Sequence, residues 1–249
     1  MIGIVGGVGP YAGLDLMKKI FDETAASNDQ EHLPVVMISE SHKIADRTSF
    51  LLDKTKTNPA FAIVEVIKKL VSVGATVVGI PCNTAHSPHI FQVIKQQLRE
   101  SATKVTLLHM VEETARYLTD KVAEVKKIGV LSTTGTHKTK IYPQILQRFG
   151  LQAILPDTTL QKQVHRAIYD PEFGIKTFSN PVNEKAKEIL IDAISQLEQA
   201  GADIVVLGCT ELPLAITQRK IGNCPIIDPT RILAKALIRA VDPNKLFPF

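Results

Sequence analysis

The chain has 249 residues, 45% of them hydrophobic, with 29 Lys and Arg against 25 Asp and Glu and a net charge of +4. That composition belongs to an ordinary globular protein, and the absence of a basic stripe with interleaved aromatics argues against nucleic-acid binding, leaving attraction of small anions as the economical reading of the charge. Three widely spaced cysteines exclude a disulfide framework and a zinc-ligand cluster, and no apolar run reaches the ~20 residues of a membrane span. No basic and apolar leader precedes the first strand, so a cytoplasmic protein with no membrane partner is expected.

Taken in order, Ile2 to Val5 reads as a buried strand followed by the turn Gly6-Gly7-Val8-Gly9-Pro10. A helix is predicted over Tyr11 to Ala25, with Leu14, Met17, Ile20 and Phe21 as its apolar face. Pro34 to Ser39 is an apolar strand, and Glu40 to Phe50 reads as a polar loop holding Asp46-Arg47. Phe61 to Val73 is helical, and Val77 to Ile80 is a strand that delivers Cys82. Ser87-Pro88 starts a helix to about Arg99, Val105 to His109 is a strand, and Glu112 to Leu118 is a helix. The second half opens with Ile128 to Leu131 and the turn Ser132 to Thr136. It continues through a helix at Tyr142 to Phe149, a strand at Gln152 to Leu155 and a loop-and-helix segment containing Gly174-Ile175-Lys176. The helix Glu184 to Gln199, strands at Ile204 to Leu207 and Pro225 to Ile227, and a helix from Thr230 to Ala240 complete the chain. Alternating strands and helices predict an α/β fold with mostly parallel sheets flanked by helices.

The two halves echo each other. Gly74-Ala75-Thr76-Val77-Val78 and Gly201-Ala202-Asp203-Ile204-Val205 each read as a helix stop before a buried strand. Gly201 follows Gly74 by the same number of positions as Cys209 follows Cys82, and Ile128-Gly129-Val130-Leu131 matches Ile2-Gly3-Ile4-Val5 within one residue. Two pseudo-symmetric lobes are therefore expected, each placing one cysteine where a strand ends. In open α/β sheets ligands bind beyond those carboxyl ends. Both cysteines are read as opening a helix, where unpaired amides would favour the thiolate over its usual pKa of about 8.5. Cys224 lacks a symmetry mate and reads as a packing residue. A duplicated thiol is unnecessary for single-nucleophile chemistry, whereas inverting a stereocentre needs an acid and a base on opposite faces of one carbon. Carboxylate donors for such a reaction are at hand in Asn83, Thr84, Thr133, Thr134 and Thr210.

The motifs Gly6-Gly7-Val8-Gly9-Pro10, Asp46-Arg47-Thr48, Pro81-Cys82-Asn83-Thr84-Ala85-His86, Thr133-Thr134-Gly135-Thr136, Gly174-Ile175-Lys176 and Gly208-Cys209-Thr210-Glu211-Leu212 span essentially the whole chain. Together they resemble the aspartate racemase branch of the cofactor-independent aspartate/glutamate racemase superfamily. The resemblance implies Cys82 and Cys209 as the acid/base pair, no pyridoxal phosphate or other cofactor, and a small-molecule substrate, an acidic amino acid. It implies that Arg47 and Lys176 receive the side-chain carboxylate of aspartate while Asn83, Thr84, Thr133, Thr134 and Thr210 hold the α-carboxylate region. It implies an active site in a cleft between lobes, with the C-terminal strand and helix returning to the first lobe. On that basis the first lobe is residues 1–103 plus 214–249 and the second is 104–213. Members are often dimers, so a homodimer is compatible with the resemblance. The chain departs from close members at Val8, where they carry Met, and from glutamate racemases at Glu211, where those carry His.

His86 lies four residues after Cys82, and either a hydrogen bond near the sulfur or helix-start packing suits it. Glu211 suits a helix cap or a partner that orients Cys209. His42 and His137 read as loop bystanders. Two other classes fit parts of the sequence. The Gly7-Val8-Gly9-Pro10-Tyr11-Ala12 turn, with Glu40 ending the second strand, loosely fits a nucleotide-dependent oxidoreductase, although Pro10 removes one amide from the phosphate nest. A two-lobed small-molecule binding protein would leave the paired cysteines idle.

Overall fold

The computed structural model describes residues 1–53, 57–122 and 124–247. The chain divides into two compact units, Met1–Glu113 with Thr230–Phe249, and Thr114–Pro229. The first contains β1 (Ile2–Gly6), α1 (Pro10–Glu23), β2 (Val35–Ser39), α2 (Arg47–Leu52), α3 (Ala60–Ser72), β3 (Val77–Gly79), α4 (Pro88–Glu100) and β4 (Thr106–Leu107). After α5 (Met110–Lys121), the second unit supplies β5 (Lys127–Leu131), α6 (Thr134–Thr139), α7 (Ile141–Arg148), β6 (Gln152–Ile154), α8 (Thr158–Tyr169) and α9 (Glu184–Gln199). It continues with β7 (Ile204–Leu207), α10 (Leu212–Ala215), β8 (Lys220–Ile221) and β9 (Cys224–Ile227), before α11 (Pro229–Val241). No described helix is long and apolar enough to cross a membrane.

The first sheet has the order β2-β1-β3-β4 and the second β6-β5-β7-β9-β8. All pairings are parallel except β8 with β9. The shared part of the order puts the reversal of strand sequence between β1 and β3 in one sheet and between β5 and β7 in the other. Ligands of open α/β sheets bind at such a reversal, beyond the strand ends. Each sheet delivers one cysteine there, Cys82 after β3 and Cys209 after β7.

The echo in sequence has a hydrogen-bonded cause. At the end of α3, Gly74 takes φ +102, its N–H bonds the Val71 carbonyl at 2.9 Å, and Ala75 N–H bonds Leu70 at 3.0 Å. At the end of α9, Gly201 takes φ +90, its N–H bonds Glu198 at 2.9 Å, and Ala202 N–H bonds Leu197 at 3.0 Å. This pair of bonds needs a left-handed residue, which glycine supplies without a Cβ penalty. The two stops aim β3 and β7 into their sheets alike. Gly3 and Gly129 are also matched, because a Cβ on either would lie within 3 Å of Val78 or Val205 on the neighbouring strand.

Three expectations are corrected. Of the expected α1 face, Ile20 is buried and Met17 packs partly buried against the core, but Leu14 and Phe21 are exposed and the buried face is Ala12, Gly13, Leu16, Lys19 and Ile20. Gly13 approaches so closely that a Cβ would meet Met37 Sδ at 2.9 Å, and that contact sets the helix rotation. Arg47 lies at the first turn of α2 and not in a loop, with Asp46 Oδ1 capping the helix through Ser49 N–H at 2.7 Å. Residues 104–113 belong to the first unit, not the second, because β4 pairs with β3, and 214–229 belong to the second, not the first, because β9 continues the second sheet beside β7 and β8 closes a hairpin onto it. The return to the first unit is made by α11 and the residues after it, where Ala25 N–H bonds the Lys245 carbonyl at 2.7 Å and Thr24 bridges Leu246. Leu233 and Leu237 pack with Ile2, Ile4, Leu16 and Ile20, and Arg231 and Lys235 pair with Glu23 of α1.

Candidate active site

In the first unit, Pro81 breaks β3, and Cys82 N–H folds back to the Ile80 carbonyl at 2.8 Å. Asn83–His86 form a single 3-10 turn, and α4 starts only after Ser87. Cys82 therefore opens a tight turn and not the α-helix expected of it, because Ser87-Pro88 is the stronger helix start. Cys82 is 6% exposed, and Asn83 and Thr84 are buried beside it. His86 is also buried, its Nδ1 lying 2.9 Å from the Cys82 carbonyl oxygen. Its ring stacks on Phe91 at 5.0 Å and meets His109 edge-on at 4.8 Å. Burial, reinforced by the neighbouring His109, pushes the His86 pKa down to about 3. A neutral ring in that place donates Nδ1–H to the carbonyl, so His86 braces the main chain at the cysteine.

The guanidinium of Arg47 is buried, donating Nη1–H to the Ala45 carbonyl at 3.2 Å and Nη2–H to the carbonyl of Val8 in the Gly-rich turn. Helix α2, which carries it, packs on the Asn83–His86 turn. Arg47 is thus brought to the same edge of the sheet as Cys82. Glu40, the acid of the nucleotide reading, is engaged by Lys43 at 2.9 Å and Lys69 at 2.8 Å. These hydrogen bonds hold its carboxyl at about 2. The acid of the oxidoreductase reading is thus part of an ion-pair group.

In the second unit, Gly208 precedes Cys209 because a Cβ there would meet the Leu131 carbonyl oxygen at 2.9 Å and Tyr142 at 3.0 Å. Cys209 is 6% exposed and its Sγ donates to Glu211 Oε2 at 2.9 Å. Thr210 Oγ1 lies 3.4 Å from the same oxygen, while Glu211 Oε1 accepts from Lys176 Nζ at 2.7 Å. Lys176 reaches this point because Ile175 and Lys176 bond the Ala167 and Ile168 carbonyls along the end of α8. Gly174 permits that close course, since a Cβ on it would lie 2.5 Å from Asp170 N. Thr133 caps α6 by accepting from Thr136 N–H at 3.3 Å, and Thr134 follows at half-buried depth. The turn is braced by Gln161, whose Nε2–H donates to the Ser132 carbonyl at 2.9 Å.

The expected thiolate is corrected at Cys209. Burial and the Glu211 carboxylate push its thiol well above the ordinary range, with Lys176 opposing. α10 begins only at Leu212 and is a four-residue turn, too short for its dipole to outweigh a carboxylate in contact. Tyr142 and Gln161 were missed in the sequence. Tyr142 is fully buried, and burial with the charges of Cys209 and Asp228 raises its hydroxyl. Its position in an amphipathic helix resembles any core aromatic, so only its fold neighbours mark it. Cys224 is 2% exposed in the second core, where burial pushes it up to about 11. His42 is exposed in a turn, and His137 lies in α6 and not in a loop.

The family profile for Asp/Glu/Hydantoin racemase matches residues 5–237, across both cysteine turns. The chain belongs to the Asp/Glu/hydantoin racemase family. It is 31% identical over 246 residues to the broad specificity amino-acid racemase RacX of Bacillus subtilis, covering 96% of each chain. It is 30% identical to the aspartate racemase of Picrophilus torridus, with a TM-score of 0.79, over 96% of this chain and 93% of that one. An aspartate racemase homologue from Pyrococcus horikoshii OT3, 24% identical, shares the fold with a TM-score of 0.73 over 96% and 97% of the two chains. As a member of the racemase family, the protein is an isomerase acting on a small amino-acid-like substrate.

Proposed function

We propose that this racemase interconverts L- and D-aspartate without a cofactor, using Cys82 and Cys209 as its acid/base pair. One thiolate takes the Cα proton, leaving a carbanion, and the thiol of the other cysteine delivers its proton to the opposite face. The product is the other enantiomer, and the two sulfurs have exchanged protonation states. The observation that carries this reading is the placement of one cysteine at the strand-order reversal of each of two similarly ordered sheets. Asn83, Thr84, Thr133, Thr134 and Thr210 supply neutral donors for the α-carboxylate, where negative charge accumulates as the proton leaves. Arg47 and Lys176 supply positive charge for a side-chain carboxylate.

A second reading, a broader amino-acid racemase, is favoured by one observation: Lys176 is already paired with Glu211 at 2.7 Å. An internally neutralised cation discriminates less strongly for a substrate carboxylate. Incubating a panel of L-amino acids in D₂O, with no added cofactor, separates the readings. Aspartate alone gaining Cα deuterium and losing optical activity supports the first, and comparable exchange of neutral amino acids supports the second. Wild-type exchange of both enantiomers by Cys82→Ala or Cys209→Ala would refute the two-thiol mechanism.

A further inference from the structure

The two cysteines are equally exposed, at 6%, yet their turns are chemically unequal. Two residues after Cys82 stands Thr84, an uncharged side chain; two residues after Cys209 stands Glu211. Glu211 is buried and uses both carboxylate oxygens, one accepting from Cys209 Sγ at 2.9 Å and one from Lys176 Nζ at 2.7 Å. A carboxylate accepting from a thiol stabilises S–H, and a thiolate at the same distance would meet the carboxylate as a like charge. Among the described residues, Lys176 also acts on this sulfur and favours the thiolate, and buried Tyr142 lies near it and is coupled in turn to Asp228.

We infer that Glu211 is a positioning residue that holds Cys209 in the thiol form, so that the free enzyme presents Cys209 as proton donor and leaves the base role to Cys82. The assignment of roles rests on the two-thiol reading above; the holding of the proton does not. When Cys209 gives its proton to the carbanion, its thiolate is left against Glu211, and Lys176 is the cation that offsets the pair. Because the equilibrium constant of racemisation is unity, kcat/KM is equal in the two directions. Unequal sulfurs therefore express themselves in kcat and KM separately.

The test is alkylation by iodoacetamide, an uncharged reagent, with each cysteine followed by peptide mass spectrometry from pH 6 to 10 in the absence of substrate. Glu211→Gln removes the charge and keeps the shape, and it is expected to speed Cys209 alkylation at least about tenfold near pH 8, equivalent to at least one pH unit in the midpoint. Lys176→Gln removes the opposing cation and is expected to slow Cys209. Cys82 and buried Cys224 should be unchanged in both variants. Opposite signs from two neighbouring substitutions cannot come from loosening of the turn, which would speed Cys209 in both and Cys224 with it. An unchanged Cys209 profile in Glu211→Gln, or acceleration in both variants, overturns the inference. If Glu211→Gln does not fold, Lys176→Gln decides alone, slower Cys209 alkylation supporting the inference and equal or faster alkylation refuting it. No turnover is needed, so a wild-type protein that exchanges no aspartate proton would refute the proposed function and leave this result standing.

Discussion

The turn after β3 and the turn after β7 occupy equivalent places in two sheets of the same strand order, and they have been furnished differently. The first surrounds its cysteine with the neutral side chains of Asn83 and Thr84 and fixes the main chain through a neutral imidazole. The second sets a carboxylate and an ammonium group against its sulfur. Repetition of the scaffold supplies two sulfurs in equivalent settings. Divergence of the residues that follow each sulfur places a carboxylate against Cys209, where the residues following Cys82 are uncharged.

The comparison is broken most directly by removing each sulfur. If the proposed two-thiol reaction holds, Cys82→Ser and Cys209→Ser should each lower racemisation at least about a thousandfold, read as Cα deuterium incorporation from D₂O, because each would delete one of its two proton-transfer groups. If one variant keeps most of its activity, the turns are not partners in one reaction. Next in size is Gly174→Ala, which forces a Cβ against Asp170 backbone and should cost about 3 kcal/mol in urea unfolding. It should also raise KM for aspartate more than it lowers kcat, since the strain falls on the segment that carries Lys176.

The brace on the first turn is tested by His86. His86→Leu should lower kcat about fivefold with KM nearly unchanged, and His86→Asn, which keeps an N–H donor, should recover most of the loss. The same residue makes a stability prediction. With a folded pKa of about 3, below its ordinary value of 6.5, the ring resists protonation in the native state. The unfolded chain therefore binds the extra proton between those values. His86 stabilises the fold fully above about pH 6.5 and loses that contribution as pH falls toward 3, with a slope approaching about 1.4 kcal/mol per pH unit. Urea midpoints at pH 4.5 and 7.5 should show a smaller acid loss in His86→Asn than in the wild type. The smallest effects sharpen the likeness of the two units. Gly74→Ala and Gly201→Ala should each cost about 1 kcal/mol, and by nearly equal amounts, because both act on a left-handed helix stop where an added Cβ meets only one side chain, at ordinary contact distance.

The duplication was legible because its signals are local. A glycine stop before a β-branched run predicts a buried strand from neighbours alone, and the helix Glu184–Gln199 and strand Ile204–Leu207 lie where periodicity puts them. Arg47 was misread as a loop residue because its stretch is polar. Its burial depends on the Val8 carbonyl, far away in sequence and beside it in space. The C-terminal strand was expected in the first unit from the family resemblance, but β9 pairs with β7 of the second sheet and β8 pairs with it, a long-range pairing that the local sequence does not specify. Gln161 and Tyr142 carry no pattern that separates a brace from ordinary helix packing.

The order of elements, the repeated helix stops and the pair of cysteines at strand ends were determined by the sequence alone, since each follows from the conformational preferences of a few adjacent residues. The acidity of Cys209 was decided only by the tertiary structure. Helix-start rules read a thiolate there, but burial of the sulfur and the turn of Glu211 onto it, itself held by Lys176 from another segment, reverse the sign. Electrostatic energies depend on distance and on exclusion of water, and neither is set until the chain has folded.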